Sequence, residues 1–160
     1  MYEVNVVVER PLSRVDAELV TGLHDEGAES VHIHVVVPEH AHARPVEAVL
    51  HDVAMSQGLI VPGDSPAPPD DEHHVEALDV LGETLRRLRA AGAHADGEIA
   101  APGTTLEVLE ERVGKGIVDE VVVMTRPHLV RETLHRDLAS MCRKRLGVPV
   151  LRLFPHSGPT

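Results

Sequence analysis

The chain has 160 residues, 42% hydrophobic and 26% charged, with a formal net charge of −11. That length suits one domain, 1–160, with a sizeable core. The acidic balance argues against a nucleic-acid partner, since such binding draws on basic surface. One Tyr, one Phe and no Trp leave too few rings for base stacking. No apolar run approaches the roughly 20 residues of a membrane span, so no membrane partner is expected. The N-terminus enters a strand-like run without a basic and apolar leader. The single cysteine, Cys142, cannot form an internal disulfide. Both features fit a reducing, cytoplasmic location.

Val4 to Val8 is a β-branched run of the kind buried on both faces of a parallel sheet, and Glu9-Arg10-Pro11 ends it. Ser13 is placed to cap a helix, with Asp16 completing a capping box. That helix is expected to turn Val15, Leu19, Val20 and Leu23 inward and to end near Gly27. A second strand follows over Ser30 to Val37 and stops at Pro38. Pro45 to Gln57 reads as a helix with Val46, Val49, Leu50, Val53 and Ala54 on one face. A flexible, proline-rich loop occupies positions 62–71.

From Asp71 a long helix is expected to Ala91, with Val75, Leu78, Leu81, Leu85 and Leu88 at helical spacing. His94 to Ala100 reads as a poorly patterned third strand. Thr104 or Thr105 then caps a helix ending near Val113. Glu120 to Thr125 forms the fourth strand, a helix runs on to Arg145, and Gly147 to Phe154 contains the last strand. Alternating strands and helices predict an α/β fold with a five-stranded, mostly parallel sheet.

Four segments resemble the universal stress protein family. They are His34-Val35-Val36, Gly103-Thr104-Thr105 with the helix after it, Val118 to Met124, and Gly147-Val148-Pro149-Val150-Leu151. The resemblance covers nearly the whole chain and is weakest over 39–70. It implies a doubly wound sheet in the order 3-2-1-4-5 with helices on both faces, a homodimer paired through the last strand, and, in many members, bound ATP. ATP-binding members are marked by Gly-x2-Gly-x9-Gly and then Ser or Thr after the fourth strand. Here Thr125 and His128 take the first two glycine positions, and Arg136-Asp137 the last pair. No glycine occurs between Gly116 and Gly147. Glu9, followed by Arg10, stands where binders carry an Asp after the first strand, and Val37 ends the second.

The site residues implied are therefore Glu9, Arg10, Val37, Thr125, Arg126, His128, Arg131, Arg136 and Asp137. Arginine forks hold phosphate without glycine amides, so Arg126 and Arg131 suit a nucleotide or another phosphate-bearing ligand. The same residues also read as a solvated basic helix face partnered by Glu132 and Asp137. The expectation is a stress-related regulatory or protein-interaction module without a cofactor. The alternative is a small-molecule binder with an arginine-lined pocket.

His32 and His34 have a spacing seen in metal ligands. No cysteine cluster or His-Glu-x-x-His helix supplements them, so packing is expected and no metal. Cys142, at helical spacing from Leu134 and Leu138, reads as core. No serine lies in a nucleophile elbow, and no acid–base pair can be named, so no enzyme is expected. Val150 to Phe154 is an apolar strand at the expected sheet edge. Such an edge invites a second copy unless the tail Pro155 to Thr160 covers it.

Overall fold

A computed structural model describes residues 1–24, 30–39, 70–124 and 138–156. The helix expected over 45–57, the proline-rich loop up to Pro69, and the turn from Thr125 to Asp137 lie outside the described residues.

The described strands are β1 (Tyr2–Val8), β2 (Val31–Pro38), β3 (His94–Ala100), β4 (Glu120–Met124) and β5 (Val150–Leu153). The described helices are α1 (Arg14–Gly22), α2 (Asp70–Ala90), α3 (Thr105–Gly114) and α4 (Leu138–Arg145). The strands form one sheet in the order β3-β2-β1-β4-β5, and every neighbouring pair is parallel. The register sets Val6 of β1 between Val35 and Val122, and Val8 beside Met124.

Side chains alternate between two cores, as the strand period requires. Val4, Val6, Val8, Ile33, Val35, Val37, Val122 and Met124 pack on one side with Ala17 and Val20 of α1 and Ala77, Val80 and Leu88 of α2. Val7, Val36, Val121 and Val123 pack on the other with Leu109 of α3, Ala139 and Cys142 of α4, and Leu146 just after it. A chain with so few aromatics builds both cores from close-fitting valines. Cys142 is fully buried, as its helical spacing indicated.

Two helix faces differ from the sequence reading. Val15, Leu19 and Leu23 are 54%, 37% and 42% exposed, and α1 buries Asp16, Ala17 and Val20 instead. The capping box fixes that rotation. Asp16 N–H donates to Ser13 Oγ at 3.0 Å, and Ser13 Oγ donates back to Asp16 Oδ2 at 2.7 Å. At 3.6 residues per turn, a stripe through Asp16, Ala17 and Val20 leaves Val15 and Leu19 outside. On α2, Ala77, Val80, Thr84 and Leu88 are buried, while Val75 and Leu78 are 55% and 49% exposed. Leu81 and Leu85 lie half-buried between. Thr104 holds the N-cap position of α3 without capping it, because its hydroxyl donates to the Ala101 carbonyl at 2.9 Å.

Candidate functional site

In an open parallel sheet, ligands bind beyond the carboxyl ends of the strands where the strand order reverses. Here that point lies between β1 and β4, and Val8 opposite Met124 marks its floor. Glu9 and Arg10 follow Val8 directly, Glu9 half-buried and Arg10 exposed. The turn they open is anchored from α2. Thr84, fully buried, accepts the Leu12 N–H through Oγ1 at 3.4 Å, and the Arg87 guanidinium donates to the Leu12 carbonyl. Leu12 itself is buried in the α1–α2 core. Glu39 follows β2, with its N–H on the Ala100 carbonyl at 2.8 Å and its carboxylate 3.6 Å from His74.

The structure therefore brings Glu9 and Arg10 to the switch point. β2 runs one residue past Val37 to Pro38, and the Val37 side chain is 1% exposed and belongs to the core. Thr125, Arg126, His128, Arg131, Arg136 and Asp137 lie outside the described residues.

Sequence reading missed a polar network on the α3 side of the sheet. His34, 6% exposed, places Nδ1 at 2.5 Å from Asp96 and Nε2 at 3.0 Å from Glu98. His32 Nδ1 lies 2.8 Å from Glu3. Arg112 of α3 donates to Glu3 at 3.0 Å and to Asn5 Oδ1 at 3.4 Å, and stands 3.8 Å from Glu98. Four elements are joined this way. The two ring nitrogens of His34 are taken up by carboxylates of β3. Among the described residues no group of histidine, cysteine and acidic side chains is placed to hold a metal ion. The available signal was the matching i, i+2 spacing of His32/His34 and Asp96/Glu98, which puts all four on one sheet face.

A second polar cluster joins the two ends of the chain. Asp16, 1% exposed, splits its carboxylate between Ser13 on Oδ2 and His156 on Oδ1. The His156 N–H donates at 3.1 Å, and His156 Nδ1 lies at 2.7 Å. Burial works against the charge, but the hydrogen bonds from Ser13 and His156 outweigh it and hold the carboxyl below its usual range. At the amino end of β4, Glu120 takes the Tyr2 hydroxyl at 3.3 Å and His24 Nε2 at 2.9 Å. Burial, and next the Glu120 charge, raise the Tyr2 phenol above its ordinary value.

No family model matches the sequence, and no curated protein matches it. Solved structures do match the fold. A universal stress protein from Archaeoglobus fulgidus superposes with a TM-score of 0.58 at 15% identity, over 95% of this chain and 93% of its own. A universal stress protein family protein from Arabidopsis thaliana with AMP bound gives 0.54 at 15%, over 98% and 94%. A universal stress protein in complex with cAMP gives 0.54 at 15%, over 98% of each chain. At these identities the likeness concerns architecture, and the chain has the fold of the universal stress protein structures.

Proposed function

We propose that this chain is a non-catalytic regulatory module of the universal stress protein type, one that does not hold ATP in a glycine cradle. The observation behind this reading is the composition of the segment after β4. It holds no glycine from Ile117 to Leu146, at the place where this fold puts its ligand. Close backbone approach to a triphosphate needs residues without a Cβ, and Thr125, His128 and Arg136 do not supply it.

A second reading has its own support, because two of the similar structures carry AMP or cAMP. In that reading Arg126 and Arg131 replace backbone amides as the phosphate-holding groups. A thermal-shift series with ATP, ADP, AMP and cAMP at millimolar concentration separates the two. The module reading expects no change in Tm. A shift that disappears in Arg126→Ala and Arg131→Ala would establish the arginine-lined site instead.

The module acts as a homodimer in this proposal, paired through β5. The support is that β5 ends the sheet, carries Leu151 and Leu153, and is followed by the 55% exposed Phe154. An unpaired apolar edge favours strand addition. Leu151→Lys is expected to convert a dimer to a monomer by light scattering, with a lowered Tm because Leu151 also packs against the core and a far-UV spectrum that is still that of a folded chain. A folded variant that keeps the mass of a dimer rules out this edge.

A further inference from the structure

The helices on the Asp16 side of the sheet serve the crossovers from β1 to β2 and from β2 to β3. Among the described residues, β4 and β5 have no crossover helix on that side. Even so, Val122 and Met124 are 0% and 2% exposed there, and Leu151 and Leu153 are half-buried in the same cluster. The tail of the chain reaches over this region. β5 ends at Leu153, and His156 binds Asp16 through both its backbone N–H and its ring. Since β4 lies between β5 and β1, the tail crosses β4 to reach the first turn of α1.

We propose that Phe154 to His156 is a releasable strap that pins the end of the edge strand β5 to α1 across β4. The two halves of its lock are built differently. Asp16 is buried and has a second partner in Ser13, which lies outside the tail. The His156 side chain is 56% exposed, and Phe154 to His156 form no helix or strand. β5 spans four residues, all half-buried, and pairs on one side. Short, one-sided elements open locally at little cost. Letting go of His156 therefore leaves α1 capped, while the end of β5 loosens and the apolar side of β4 becomes accessible. The strap is independent of whether β5 pairs with a second copy.

Amide hydrogen exchange at pH 7 tests it on two proteins, a chain ending at Phe154 and full-length His156→Ala. In the shortened chain, amides from Leu151 to Phe154 are expected to exchange at least about tenfold faster than in the parent. His156→Ala keeps the backbone hydrogen bond, so its effect is expected to be smaller and at the same amides. β1, β2, β3 and α2 are expected to retain their protection in both. Unchanged exchange at β5 in both proteins overturns the proposal. So does acceleration spread evenly over all five strands, which would make the tail part of the global core.

Discussion

Gly97→Ala is expected to destabilise the fold by about 3 kcal/mol, at the upper end of the range for overpacking. Gly97 sits in β3 directly opposite Val35. A Cβ there would lie 2.4 Å from the Val35 carbonyl oxygen, 2.8 Å from Leu81 Cδ1 and 2.9 Å from Val35 Cβ. Two of these contacts belong to the neighbouring strand, one of them to its backbone, so rotating a side chain does not relieve them. Either β3 moves away from β2 or α2 lifts with Leu81, and each response disturbs the core around Val35. Urea denaturation measures the loss as a lowered midpoint. Gly82→Ala in α2 is the control, because a Cβ there meets nothing within 4 Å. That change is expected to stabilise by about 0.5–1 kcal/mol through helix propensity. Equal midpoints for the two variants would contradict the close approach at Gly97.

Asp16→Ala is expected to cost about 2–4 kcal/mol, from the lost cap and the lost hydrogen bonds to a charged acceptor. The cost has a pH signature. The folded-state carboxyl is held below its ordinary value, so its contribution is complete above the unfolded pKa of about 3.9. It is lost as pH falls through the lower folded value, where both states bind the proton. The stability difference between parent and variant is therefore expected to shrink on acidification. Denaturation midpoints across the carboxylate range measure this. A difference that stays constant with pH would mean that the charge of Asp16 contributes nothing.

The sheet was legible in the sequence because β1, β2 and β4 are β-branched runs with turn residues at their ends. β3 was faint because Asp96, Gly97 and Glu98 suit an edge strand with one polar face and one close contact rather than a buried one. The helix positions were legible but their faces were not. Val15, Leu19 and Leu23 make as good an apolar stripe on α1 as the one it buries, and what decides between them is Asp16. Its second partner, His156, is 140 residues away, beyond the reach of any local pattern. The position of Glu9 and Arg10 at the switch point was legible because they follow the first strand. The network around His34 was half-legible, since the spacing gave a shared face but not the carboxylates and Arg112 that fill it.

The two edges of the sheet differ in kind, and the network around His34 makes them so. One edge, β3, is faced by the exposed His94 and Asp96 and the half-buried Glu98. The other, β5, presents Val150, Leu151 and Leu153, with Arg152 stacked on Phe154 just beyond it. Two copies meeting at like charges on β3 would repel, whereas the β5 edges are apolar. A molecule with two adhesive edges grows without limit, edge upon edge, into fibres. With one adhesive edge, assembly by strand addition uses itself up at two copies. In the proposed dimer, the polar face of β3 would thus terminate a stack that β5 begins.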